Sequence, residues 1–98
     1  MARLLWTLPA KNDLDDIYDY IALTDGRPAT AEGVVRGIHE ACQRYADGPS
    51  QGEARSDFGD NYRVGLYKRW VIIYRPIEDG IEILRLVDGS RDFSRLFG

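Results

Sequence analysis

The apolar positions of this chain change period along its length, and each change marks an element. Leu4, Leu5 and Trp6 form a short apolar run closed by Thr7-Leu8-Pro9, which predicts a strand feeding a helix, because proline is tolerated in a first turn whose N–H groups have no intrahelical partner. Residues 10–23 then take a helical spacing, with Ala10, Leu14, Ile17, Tyr18 and Ile21 on one face. Asp13, Asp15, Asp16 and Asp19 fill the opposite arc. They read as a solvated face, since the glycine turn and loop ligands of a calcium site are missing, and Asp13 also sits near the helix N-terminus, where negative charge is favourable. Residues 24–28 break the pattern with a Gly and a Pro. A second helix follows over residues 29–46, with Ala31, Val34, Val35, Ile38, Ala41, Cys42 and Tyr45 as its stripe and Asp47-Gly48-Pro49 as its stop. Two amphipathic helices joined so briefly should pair antiparallel.

Residues 49–60 carry no periodicity and read as a loop or irregular crossing anchored by Phe58. Beyond them Tyr62, Val64 and Leu66 alternate with Arg63, Gly65 and Tyr67, the period of a half-buried strand. Residues 70–74 are apolar on both parities, as in a central strand covered on both faces. Residues 81–87 form a third strand, and Glu78-Asp79-Gly80 is a good hairpin turn. Lys68-Arg69 has poor chemistry for a tight turn, so an irregular or longer connection is expected there. Phe93, Leu96 and Phe97 recur at helical spacing, either as a last helical turn against the sheet or as a loose tail.

These elements predict an α+β fold, one domain over residues 1–98: a short N-terminal strand, then an antiparallel helical hairpin packed on one face of a sheet completed by a three-stranded antiparallel meander. The helices cover one face only. Whichever of the two sets faces away from them, Trp70, Ile72 and Tyr74 or Val71 and Ile73, needs cover from the tail, the 49–60 loop or a second protein.

Composition narrows the chemistry. With 98 residues, 44% of them hydrophobic and 30% charged, the chain suits an ordinary globular protein rather than a disordered one. A formal net charge of -3 argues against a surface that grips nucleic acid everywhere. Yet Arg63, Lys68, Arg69 and Arg75 follow one another without an acid between them, and Arg85 and Arg91 extend the set. These six, Arg63, Lys68, Arg69, Arg75, Arg85 and Arg91, are the candidate contact surface for a partner protein or nucleic acid, with Arg63 and Arg69 on one face if pairing is regular. The competing reading is charge that only solvates edge strands, and Arg91 has a further one, pairing with Asp88 or Asp92 to fix the closing turn. A single cysteine and a single histidine exclude an internal disulfide and a Cys/His zinc site. Cys42 reads as a small core hydrophobe, His39 as a surface histidine, and Trp6 and Trp70 as core. Gly33 and Gly37 fall off the apolar stripe, either as tolerated weak points or flank contacts or as a place where another chain approaches closely. No metal or cofactor is expected. The absence of a membrane-length apolar run and of a signal-peptide core points to the cytoplasm.

The order Trp6, Ala10, Asp13-Leu14, Ile17, Tyr20-Ile21, then Pro49 and Gly52, Tyr62-Arg63, Ile73-Tyr74-Arg75, residues 81–85 as Ile-Glu-Ile-Leu-Arg, residues 88–92 as Asp-Gly-Ser-Arg-Asp, and Leu96-Phe97 resembles the RelE/ParE superfamily of bacterial toxins. The resemblance covers nearly the whole chain. It implies a toxin of a type II toxin-antitoxin pair, neutralised by a cognate antitoxin whose flexible segment wraps it. RelE-like members cut mRNA on the ribosome, and ParE-like members inhibit DNA gyrase and serve plasmid stabilisation.

Cleavage through a 2′-hydroxyl needs a proton acceptor, a proton donor and positive charge at the phosphate. The positions that resemble the nuclease groups hold Arg63, Gly65, Val71, Arg91 and Phe97, so only two keep a suitable side chain. The resemblance is therefore closer to the ParE-like branch, and implies a non-enzymatic gyrase inhibitor. The histidine usual in the closing motif of that branch is replaced by Asp88. The alternatives are a RelE-like ribosome-dependent mRNA interferase and a non-toxic antitoxin-binding module; direct nucleic-acid contact and a homodimer are left open by the sequence.

Overall fold

A computed structural model describes residues 2–90. Its elements run β1 (Arg3–Trp6), α1 (Leu8–Asp19), a π-helical turn (Tyr20–Thr24), α2 (Pro28–Asp47), a 3-10 turn (Pro49–Gln51), β2 (Glu53–Ala54), β3 (Arg63–Tyr67), β4 (Trp70–Ile77) and β5 (Gly80–Asp88). The strands make one mixed sheet in the order β1-β5-β4-β3-β2, with β1 parallel to β5 and the other pairs antiparallel. The α+β plan holds. The sheet has one strand more than expected, because Glu53–Ala54 is too short to leave a periodic signal.

Register decides which side meets the helices. Gly65 pairs with Ile72, and Ile72 with Leu86. Trp70, Ile72, Tyr74, Ile81, Ile83 and Leu86 pack in one cluster with Ala10, Ile17, Ile21, Ile38, Ala41 and Cys42 from the hairpin. Val71 and Ile73 therefore face away from the helices, and both are buried. Beside them on that face Leu66 is 61% exposed, so the helix-free side keeps an uncovered apolar edge. Burial pushes the Cys42 thiol up to about 12, which leaves it an inert core hydrophobe.

Thr7 begins α1 and ties it to the sheet, its Oγ1 accepting from the Ala10 N–H at 3.2 Å and donating to the Leu84 carbonyl at 2.9 Å. Asp13 is not simply solvated. Its carboxylate accepts from Arg85 Nε at 2.7 Å and Nη2 at 3.0 Å, and from the Leu86 N–H at 2.9 Å, so it clamps α1 to β5. In the pair with Arg85 the guanidinium is about half open to water while the Asp13 side chain is only 15% exposed, so solvent screens the pair from one side, and the amide bond beside it is half buried. Asp13→Ala is accordingly expected to lower stability by about 1–3 kcal/mol, and Arg85→Ala by less than about 1 kcal/mol, both read from urea midpoints.

Of the readings open for Gly37, the flank contact holds: it seats the Tyr67 ring of β3, which a methyl group there would overlap. In return Tyr45 of α2 lies on Gly65 of β3, so helix and strand interlock through two tyrosine-on-glycine contacts. The Lys68-Arg69 connection is a tight two-residue turn after all, since Tyr67 pairs directly with Trp70 and Lys68 takes the left-handed conformation at φ 53° that its chemistry disfavours. The fate of residues 91–98, including Phe93, Leu96 and Phe97, lies outside the described residues. Among those described, no helix is long and apolar enough to cross a membrane, and no group of His, Cys, Asp or Glu could hold a metal ion.

Candidate binding surface

At the β2 side of the sheet a groove of about 600 Å³ opens between the 3-10 turn, the β3 edge and the β3–β4 turn. Val64, Leu66 and Val71 give it an apolar floor; Arg55, Lys68 and Arg69 supply cations at its rim, with Glu53 the one acid among the described lining residues; Tyr45 and Gln51 border it from the helix side, and Gly89 and Ser90 from the other end.

The six basic residues marked in the sequence are not gathered into one patch. Lys68 and Arg69 border the groove. Lys68 Nζ lies 5.6 Å from the Tyr67 ring centre. Arg69 lies over the Trp70 ring at 4.6 Å, with Asp88 at 3.7 Å, and its carbonyl accepts the Gly89 N–H, which fastens the turn to the end of β5.

Arg63 points instead to the helix side. Its Nη1 donates to the Gly52 carbonyl at 2.6 Å, so it braces the crossing segment rather than presenting charge. Arg75 pairs with Glu82 on the helix-free face, and Arg85 with Asp13; in both, an acid on a neighbouring element takes up the charge. Arg91 lies outside the described residues.

Arg55 joins the groove without having been marked. Its guanidinium lies 4.0 Å from the Phe58 ring centre and makes two bonds to Asp57 at 2.9 and 2.7 Å. The hydrogen bond to Asp57 holds Arg55 above and Asp57 below their usual ranges. Nothing periodic in residues 49–60 signalled it, because its place depends on the two-residue strand β2.

The crossing segment is also held by Tyr74, whose Oη accepts the Gly52 N–H at 3.0 Å and donates to the Pro49 carbonyl at 2.6 Å. At the groove itself the nuclease positions carry no proton-transfer group. Gly65 lies under the Tyr45 ring and Val71 is part of the apolar floor.

Comparison with known proteins agrees on one family. The family model described as ParE toxin of type II toxin-antitoxin system, parDE, matches residues 4–93. Toxin ParE3 of Caulobacter vibrioides is 28% identical over 98 residues, which is 100% of this chain and 97% of that protein. A solved structure described as the chromosomal ParDE TA system from P. aeruginosa superposes with a TM-score of 0.71 at 30% identity, covering 90% of this chain and 96% of that one. With the matched region reaching from β1 through β5, the chain belongs to the ParE toxin family of type II toxin-antitoxin systems.

Proposed function

We propose that this ParE-like toxin inhibits DNA gyrase by binding rather than by cutting nucleic acid, acts in the cytoplasm as one domain, and is silenced by a cognate antitoxin that covers the groove beside β3. The observation that supports the non-enzymatic reading is the groove's make-up: an apolar floor at Val64, Leu66 and Val71, with no histidine and no pair of carboxylates among the described residues that line it. Family membership supports the toxin and antitoxin roles. An apolar floor with a cationic rim is the anatomy of a surface that a partner anchors on and charge steers towards.

Expression without the antitoxin is expected to arrest growth, and the purified protein to block supercoiling by gyrase while ribosome-bound mRNA stays intact. Cut mRNA with gyrase untouched turns the reading to a RelE-like interferase. Tight antitoxin binding without growth arrest turns it to a non-toxic binding module.

The double variant Lys68→Glu, Arg69→Glu is expected to weaken binding to antitoxin or gyrase about tenfold at low ionic strength, and less at high salt. Affinity for both partners unchanged from wild type would assign the two side chains to solubility alone. Arg63 is left out of that pair because a carboxylate there would face the Gly52 carbonyl that Arg63 now satisfies.

A further inference from the structure

The helix-free face of the sheet is closed at its centre from within the chain. Val71 and Ile73 lie on that face, across the sheet from both helices, yet they are 4% and 1% exposed. Leu66, which pairs with Val71 on the same face, is 61% exposed. An antiparallel sheet face that meets only water carries polar side chains and leaves them accessible, so a buried valine and isoleucine there require a cover. The 49–60 crossing is held elsewhere. Tyr74 and Arg63 draw Pro49 and Gly52 to the helix side, Glu53 and Ala54 extend the sheet in its own plane beside Val64 and Arg63, and the Arg55 N–H carries that pairing on to the Tyr62 carbonyl.

The last described residues turn towards the closed face. The Asp88 carboxylate accepts from the Ser90 N–H at 2.9 Å and from the Ser90 hydroxyl at 2.7 Å, a local turn that bends the chain as β5 ends. Gly89, inside that turn, lies against Val71, since a methyl group on it would stand 3.0 Å from Val71 Cγ2. The chain therefore leaves β5 over Val71.

We infer that residues 91–98 double back across the helix-free face and lay Phe93, Leu96 and Phe97 on Val71 and Ile73. The spacing of three and four residues gathers these three apolar side chains on one side of a helical turn, with Arg91 and Arg95 on the other. The distance is short: a segment of this length reaches about 12 Å even as a helix, against about 7 Å from Val71 to Ile73 along β4. The cover is made by the chain alone and does not depend on the antitoxin reading. It leaves Leu66 as the open apolar side chain beside the groove, and it steadies Val71 in the groove floor.

A nitroxide attached through Gly98→Cys in the full-length protein tests the cover. The Cys42 thiol is buried and pushed up to about 12, so the label is confined to the introduced position. Methyl signals of Val71 and Ile73 are expected to lose much more intensity than those of Ile17 and Ile38, which lie under the helices. Equal losses in the two sets, or none at Val71 and Ile73, overturn the inference. Loss that passes to an unlabelled copy mixed with the labelled one makes the cover a second molecule and overturns it as well. In the full-length chain without label, Phe97→Asp is expected to raise the binding of a dye specific for apolar surface about threefold, while Arg95→Asp leaves it at the wild-type level. No rise with Phe97→Asp, or an equal rise with both, contradicts the inference.

Discussion

Tyr74→Ala is expected to bring the folded state to the edge of unfolding, with a loss of about 3–5 kcal/mol against the roughly 5–15 kcal/mol of a typical domain. Tyr74 heads the fully buried side chains in size, and its ring centre lies 5.4 Å from that of Tyr45. Alanine would leave a cavity and also orphan the Pro49 carbonyl and the Gly52 N–H. Tyr74→Phe separates the two effects. It keeps the ring and is expected to cost about 1–3 kcal/mol through the unpaired backbone groups, read as a lower urea midpoint at unchanged slope.

The same phenol gives the fold a pH limit. Burial pushes its pKa up, and the Gly52 hydrogen bond only partly offsets this. A raised folded-state value means that the native state holds the proton more tightly, so this contribution is complete below the ordinary phenol range and is lost as pH rises through and beyond about 10. Tyr74→Phe should flatten that alkaline limb. A limb unchanged in the variant would place its origin elsewhere.

Alanine at the two glycines of α2 is expected to act with opposite sign, although they lie one helical turn apart. A methyl group at Gly33 meets only the tip of Arg36 at 4.0 Å, so Gly33→Ala should stabilise by about 0.5–1 kcal/mol through helix propensity alone. At Gly37 the methyl overlaps the Tyr67 ring. Displacing that ring outweighs the propensity gain, and Gly37→Ala is expected to destabilise by about 1–2 kcal/mol. In a Tyr67→Ser background the clash is gone and Gly37→Ala should become neutral or stabilising, a coupling that a double-mutant cycle in urea isolates. If both glycines gain stability on substitution in the wild-type background, the Tyr67 seat contributes nothing.

What could be read in advance followed from local period. The stripe from Ala31 to Tyr45 gave α2 to within a residue at each end, Trp70 and its apolar neighbours marked the central strand, and the Glu78-Asp79 turn announced its hairpin. The features that escaped are all set by register or by distant partners. Arg63 and Arg69 share a parity, but Arg69 sits in the turn, where parity has no meaning, and Arg63 is drawn inward by a carbonyl eleven residues away in sequence. Asp13 stands in an acidic run whose other members, Asp15, Asp16 and Asp19, are exposed, and only a partner 72 residues distant distinguishes it. Gly37 lay off the stripe because what it accommodates comes from the sheet, not from the neighbouring helix. The π-helical turn at Tyr20–Thr24 was equally silent, since the apolar spacing of residues 10–23 carries no mark of the change from α to π.

The parallel pairing of β1 with β5 also sets an order of events in time. The helical hairpin and the meander join near neighbours in sequence and can form as soon as they are made, whereas Arg3 finds Gly80 and Trp6 finds Ile83. Closing so long a loop is the slow kind of step in folding. During synthesis β1 is therefore the first strand to emerge and the last to be paired, and the Thr7 hydroxyl likewise waits for Leu84. Until β5 has been made, β1 has no strand to pair with, and the groove beside β3 lacks the Gly89 and Ser90 that border its far end.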